Sequence, residues 1–291
     1  MSATTRGLAA ILIAFASCAT PTTGGDPDAD ATVAGTLPLG DGHVSTSPRV
    51  GYVFSCQTSF GQGGGSATGP WITGASWDPA LKPTIAGSVS WPNARITIAK
   101  QGDRRVVTAN NLPSHATGVF PVPTSDPAYS YDRNPNTIRE QDILLALPTM
   151  PTAAATPLCV AMGMIGFARS GAAIYNALDA GGRDAVAHEI QDHCSGHPQQ
   201  AGQYHYHSLS ACFADTGAGV HSALVGYARD GYGIYGPLGE GGRALTNDDL
   251  DACHGHEHVI DWDGVPTRLY HYHTTPEYPY TVGCYHGVVA N

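Results

Sequence analysis

Tyr204-His205-Tyr206-His207 and Tyr270-His271-Tyr272-His273 are the same four residues, and each copy sits in a matching frame. The first frame holds Gly166, Ile174-Tyr175, Gly181-Gly182-Arg183 and Cys194-Ser195-Gly196-His197 ahead of the motif, with Cys212 after it. The second holds Gly226, Ile234-Tyr235, Gly241-Gly242-Arg243 and Cys253-His254-Gly255-His256, with Cys284 behind. The glycines, Ile-Tyr pairs and Gly-Gly-Arg triplets recur 60 residues apart, the leading cysteines 59 and the histidine motifs 66. This pattern reads as a tandem duplication with a longer loop in the second copy. Two equivalent arms of that kind can build one pseudo-symmetric site, here from histidines.

The motif resembles the YHYH-domain family of bacterial secreted proteins. The closest stretch runs from Gly226 to Gly287, through Asp230-Gly231-Tyr232-Gly233-Ile234-Tyr235-Gly236-Pro237, Cys253-His254-Gly255-His256 and Tyr278-Pro279-Tyr280-Thr281-Val282-Gly283-Cys284. Gly196-His197-Pro198 and Gly202-Gln203-Tyr204-His205-Tyr206-His207 match too, and Asn111-Leu112-Pro113-Ser114-His115 and Thr117-Gly118-Val119-Phe120-Pro121 match more loosely. The resemblance covers most of residues 51–291. It carries no established activity across, so the chemistry is argued from residues.

Residues 1–17 read as a signal peptide, with Arg6 before a short apolar run from Leu8 to Phe15. That run is about half of the ~20 residues needed to span a bilayer. Phe15-Ala16-Ser17-Cys18 resembles a lipobox, which makes Cys18 the expected lipidated first residue of the mature chain; ordinary secretion with nearby cleavage is the alternative. Residues 18–49 then read as the lipidated cysteine and a disordered tether of Thr, Gly, Asp, Pro and Ala. Export to the periplasm or cell surface, with a lipid anchor as the membrane contact, is the expectation.

Of the seven cysteines, removing Cys18 leaves an even set, as an oxidised exported chain requires. Six cysteines allow fifteen pairings. Equivalence of the two frames selects Cys194–Cys212 and Cys253–Cys284, and leaves Cys56 with Cys159. With 24 acidic against 14 basic residues, and Lys82 and Lys100 the sole lysines, no basic patch exists to neutralise phosphates. Nucleic-acid binding is therefore not expected. Protein partners and small-molecule ligands are not indicated.

Sparse charge and plentiful Gly and Pro suit a β-rich chain. The expected fold is α+β, mostly β: a tandem-duplicated unit over 158–291 packed with short N-terminal strands over 50–157 as one globule. Ser88–Trp91, Arg95–Ile98 and Arg105–Thr108 read as strands. Gly61–Gly65 reads as a loop, and Pro148–Pro157 as a connector. The Phe167 and Tyr227 segments and both Tyr-His-Tyr-His segments read as strands. Short helices are expected over Asp184–His193 and Asp248–Ala252, with Thr246 and Asp249 as a capping pair.

Twelve of the fourteen histidines fall between His188 and His286. Alternate residues of a strand share a face, so His205 and His207 should project together, as should His271 and His273. If the frames pack about a local two-fold, these four rings converge on one site. His197 and His256, each after a glycine that allows a tight turn, form a second equivalent pair, and His254 and His258 alternate with His256. His115, His193, His221 and His286 lack a symmetry partner and rank lower. Neutral imidazole suits Cu or Zn, whereas oxidised cysteines offer no thiolate and Met150, Met162 and Met164 lie ahead of both repeated frames. The tyrosines read as packing residues. Glu189, Asp192, Glu257, Asp261 and Asp263 are near enough in sequence to serve as base or ligand-orienting groups, with solvated turn positions as the simpler reading.

Three functions stay open on sequence alone. One is an exported transition-metal-binding protein. Another is a hydrolytic or oxidative metalloenzyme using the same histidines; no Gly-x-Ser-x-Gly or His-Glu-x-x-His signature is present. The third is a disulfide-stapled surface module with structural histidines.

Overall fold

Eight strands make the largest sheet of the computed structural model, which describes residue 1 and residues 35–61, 68–213 and 220–289. In chain order they are β1 (Met164–Ala168), β2 (Ala173–Tyr175), β3 (Gly196–Pro198), β4 (Tyr204–Tyr206), β5 (Leu224–Ala228), β6 (Gly233–Tyr235), β7 (Gly255–Trp262) and β8 (Val265–His273). Their order across the sheet is β3-β4-β2-β1-β5-β6-β8-β7. Adding four to each number of the first half and reversing it yields the second half. Pairing senses match as well: β1–β2 and β5–β6 are antiparallel, β2–β4 and β6–β8 parallel, β3–β4 and β7–β8 antiparallel.

The halves meet at β1 and β5, which are antiparallel in the register Gly166↔Ala228, Phe167↔Tyr227, Ala168↔Gly226. Phe167 thus faces its own counterpart 60 positions on. The strands are rich in apolar residues and mostly buried, as central strands require. Side chains at Gly166 or Gly226 would collide with the facing backbone, a Cβ at Gly166 lying 2.8 Å from the Tyr227 carbonyl oxygen. The repeated glycines hold these two strands in contact.

Smaller sheets of two or three strands accompany this one. Ile96–Gln101, Arg104–Ala109 and Ile143–Pro148 form an antiparallel three-stranded sheet, so the expected strands at 95–98 and 105–108 are present but longer. Arg105 leaves it to make a bidentate pair with Asp263 (2.9 and 2.8 Å) while lying over the Tyr227 and Trp262 rings. Asn111 joins the N-terminal part to the main sheet: its Nδ2 donates to the Tyr204 carbonyl (2.8 Å) and its Oδ1 accepts from Ala173 N (3.1 Å). Trp71 Nε1 donates to the Ala187 carbonyl at 2.9 Å. The chain from Val33 to Asn291 is one compact unit. All three disulfides, Cys56–Cys159, Cys194–Cys212 and Cys253–Cys284, are formed.

Several local expectations are corrected. Residues 35–48 are not a tether: Leu37–Pro38 and Val44–Ser45 are strands, and Leu37, Leu39 and Val44 pack on the core. Gly40 N donates to Asp184 Oδ2 (2.9 Å), and Asp41 Oδ2 lies 2.9 Å from His188 Nε2. Leu and Val at short intervals were enough apolar surface to dock a segment of otherwise loop-like composition. Ser88–Trp91 makes a single bridge, Val89↔Thr117, because Pro92 cannot extend a ladder. The 148–157 connector is largely strand, Ala153–Leu158 pairing with the C-terminal Tyr285–Gly287. The two helices shrink to one turn: α1 (Ala185–His188), capped by Asp184, and a 3-10 turn over Asn247–Asp249. Thr246 N donates to Asp249 Oδ2 at 3.0 Å, as the capping pair requires. The signal segment, Cys18 and the first part of the tether lie outside the described residues, as does most of the Gly61–Gly65 loop.

Candidate metal centres

The histidines gather at two places rather than one. His197, His205 and His207 form the first group, and His221, His256, His258, His271 and His273 the second; within each, one donor atom per residue lies within 4.8 Å of every other. The single convergent site expected from four rings is therefore not formed. The reason is topological. The two halves of the sheet meet at β1 and β5, and β4 and β8 lie five strand spacings apart, roughly 24 Å at ~4.8 Å each. Corresponding strands carry their histidines to opposite wings of the sheet.

Each group grows from a cross-strand pair. His197 on β3 faces His205 on β4, and His256 on β7 faces His271 on β8. The strand alternation then adds His207 and His273. Nitrogen spacing is short: His205 Nε2 to His207 Nε2 is 3.1 Å, His256 to His273 3.1 Å, His258 to His271 3.1 Å and His221 to His271 3.2 Å, all through Nε2. Nitrogens held 2.0–2.1 Å from one ion at angles of 90–110° stand about 2.8–3.4 Å apart.

In six of the eight rings the opposite nitrogen is already committed. Nδ1 meets a backbone carbonyl in His205 (Gln203, 3.1 Å), His207 (Asn176, 2.5 Å), His271 (Leu269, 3.0 Å) and His273 (Gly236, 2.6 Å). His221 and His258 do the same with Ser222 (2.9 Å) and Val259 (3.0 Å). A carbonyl oxygen only accepts, so each Nδ1 carries the proton and each Nε2 presents a lone pair. Facing lone pairs at 3.1 Å repel unless a cation stands between them. Carbonyl anchoring of the distal nitrogen is also how metal-binding imidazoles are oriented.

Protons do not fill that need easily. Burial pushes His205 well below the usual imidazole range, and the neighbouring His197 and His207 add to it. Burial likewise lowers His271 to about 3 and His256 to about 4, with surrounding histidines in support, and depresses His273 further. His197 differs. Burial lowers its affinity for a proton, but Glu189 outweighs burial and raises it. Glu189 itself is raised by burial and brought well below the carboxylate range by His197 and His207.

Glu189 was one of five carboxylates singled out in the sequence, and it is the one that reaches a site. Its Oε2 lies 3.3 Å from Nε2 of both His197 and His207, and neither that oxygen nor either nitrogen of His197 has a hydrogen-bond partner. It follows α1 directly, and Asp132 fixes the next residue through Ile190 N at 3.1 Å. Glu257 instead pairs with Arg268 on the surface, Asp261 accepts from Gly264 N in the hairpin, and Asp263 holds Arg105 and Lys100.

Asp192 is a scaffold. Its carboxylate accepts from Cys194 N (2.9 Å), Gly196 N (3.2 Å), Gly118 N (2.9 Å) and the Tyr204 hydroxyl (3.0 Å). Asp251 repeats the role with Cys253 N (2.8 Å), Gly255 N (3.2 Å) and the Tyr270 hydroxyl (2.9 Å). The glycines before His197 and His256 serve close approach and not turn freedom: a Cβ at Gly196 would strike the Tyr204 ring, and one at Gly255 that of Tyr270. The left-handed residues of these turns are Ser195 (φ 60°) and His254 (φ 73°).

The motif tyrosine hydroxyls bond outside the two histidine groups. Tyr206 hydroxyl bonds Ser170 (2.9 Å) and His115 Nε2 (2.6 Å); Tyr272 hydroxyl donates to Asp230 (2.5 Å). Tyr206→Phe and Tyr272→Phe should each lower stability by about 1–2 kcal/mol, as loss of one buried hydroxyl network costs, and leave metal content unchanged. Thermal melts and elemental analysis of the same samples check both halves.

Of the lower-ranked histidines, His221 joins the second group, while His115 is spent on Tyr206 and His286 stacks on Tyr270 at 3.7 Å. His193 is exposed. His254 instead bonds Thr275 Oγ1 (3.0 Å), so of the two histidines that alternate with His256 only His258 joins the second group. His221 has Ala161 as its counterpart, so repeat symmetry gave no signal for it. A third grouping, His115 with Cys194 and Cys212, is no thiolate site because the sulfurs are bonded to each other.

A β-sheet protein with a histidine cluster on each wing is the class these features define. Residues 144–242 match the family model described as YHYH protein, and this stretch is a YHYH domain. The match contains every residue of the first group and Glu189, and ends before the second Tyr-His-Tyr-His. No curated protein and no solved structure matches the chain.

Proposed function

We propose that the chain is an exported transition-metal-binding protein holding one ion, copper or zinc, at each histidine group. The observation that carries this reading is the set of Nε2–Nε2 approaches at 3.1–3.2 Å, His205–His207, His258–His271 and His221–His271, between rings whose Nδ1 protons are committed to carbonyls. Imidazole donors without thiolate suit Cu(II) and Zn(II) over Ca and Mg. Tandem duplication of one YHYH unit accounts for the repeated strand order and for the two groups. Elemental analysis of the full chain, made in copper- and zinc-replete medium, tests the reading. About two equivalents per chain support it; none leaves the histidines as structural residues.

A metalloenzyme is the second reading, favoured by one feature: the Glu189 carboxylate sits against the first group beside a cavity. There it can act as ligand or as proton acceptor.

Three disulfides fit an oxidising compartment, and among the described residues no helix is long and apolar enough to cross a membrane. With the signal-like N-terminus, these support export, with lipid on Cys18 as the anchor. Native protein should partition into detergent, and Cys18→Ser should become soluble or stay unprocessed. An unmodified mature N-terminus beyond Cys18 contradicts the anchor.

A further inference from the structure

We propose that the two centres differ in kind: the first is open to exchange and binds a small oxygen- or nitrogen-donor ligand, while the second is closed by its own histidines. This rests on the metal reading above and goes beyond it. The shared part of each centre is three rings, His197, His205 and His207 against His256, His271 and His273. What is added to them differs.

In the second centre, His258 and His221 bring two further Nε2 donors within 3.2 Å of His271. Five nitrogens leave at most one position of a six-coordinate ion. Of these five residues only His221 lines the neighbouring cavity of about 600 Å³. In the first centre no further histidine is added among the described residues. Ala161 stands at the position of His221, and Glu189 reaches two of the three rings.

All three rings and Glu189 line a cavity of about 890 Å³, within the range of small-molecule sites. Tyr175 also lines it, stacked on His205 with centroids 3.8 Å apart. Asn134, Asn136 and Gln199 add amide groups to the wall. An ion held by three nitrogens there has an accessible position on the cavity side, and its occupant meets a polar wall.

Azide titration of the cobalt(II)-loaded full chain, followed by visible absorption, tests this. Cobalt content is measured on the same samples. Wild-type protein should bind two cobalt ions, with the spectral change saturating at one azide per chain. His271→Ala should keep the response with one cobalt remaining, and His205→Ala should lose it with one cobalt remaining. A response of two azides per chain, or one kept in His205→Ala and lost in His271→Ala, overturns the assignment. Two bound cobalt ions with no azide response also overturn it while leaving metal binding intact. Absence of bound cobalt removes both. The wild-type stoichiometry requires no variant, so a misfolded variant does not leave the proposal untested.

Discussion

His271→Ala should halve the metal content of the purified chain, from two equivalents to one. His271 is the hub of the second group: its Nε2 meets those of His258 at 3.1 Å and His221 at 3.2 Å, and its ring is fully buried. Truncation removes a donor and opens space beside the remaining four. The first group stands on the opposite wing and shares no ligand with it, so its ion should stay. His205→Ala should give the mirror result, one ion lost from the first group and the second intact. Had one site drawn on both copies, either change would abolish binding altogether. Elemental analysis of the two variants separates these outcomes. All three disulfides should form in both, since neither histidine group includes a cysteine.

Asp192→Ala should destabilise the chain by about 3–5 kcal/mol. Its carboxylate gathers donors from three places: the turn before His197, the Tyr204 hydroxyl on β4, and Gly118 N of the N-terminal part. The residue is 2 % exposed, so water does not replace the lost acceptor, and several buried donors are orphaned at once. Denaturant unfolding should show a lower midpoint. Because the turn positions His197, the variant should also bind its first ion more weakly while keeping the second. A stability change below about 1 kcal/mol contradicts the scaffold role.

Much of this arrangement was legible in the residues. The constant offset between Phe167 and Tyr227 appears directly as a cross-strand pair. The cysteine equivalence led to the three bonds that form. Alternation along a strand placed His205 with His207 and His271 with His273. What failed was the step from equivalence to convergence. Spacing along the chain says that two copies are alike; it says nothing about which edge of each copy meets the other. Here the contact is made by β1 and β5, where the glycines allow close approach, and the histidine strands are left outermost.

Other losses have the same local cause. Glu189 looks like any carboxylate at a helix end, and only the burial supplied by α1 and the Asp132 contact turns it toward two imidazoles. His221 belongs to one copy alone, so a symmetry argument passes over it. Gly196 and Gly255 resemble turn glycines, yet the tyrosine rings lying across them are what forbid a side chain. Residues 35–48 carry too few apolar groups for a strand signal, but Leu37 and Leu39 find a ready surface and the Gly40 and Asp41 contacts with α1 follow.

The central claim is that each wing of the sheet holds one transition-metal ion among Nε2 atoms. Anomalous diffraction from crystals of the wild-type chain, collected at the copper and zinc edges, tests it most directly. Two peaks are expected, one among His197, His205 and His207 and one among His221, His256, His258, His271 and His273, each about 2.0–2.1 Å from its nitrogens. A map with no peak at either group, from crystals grown with both metals supplied, contradicts the account.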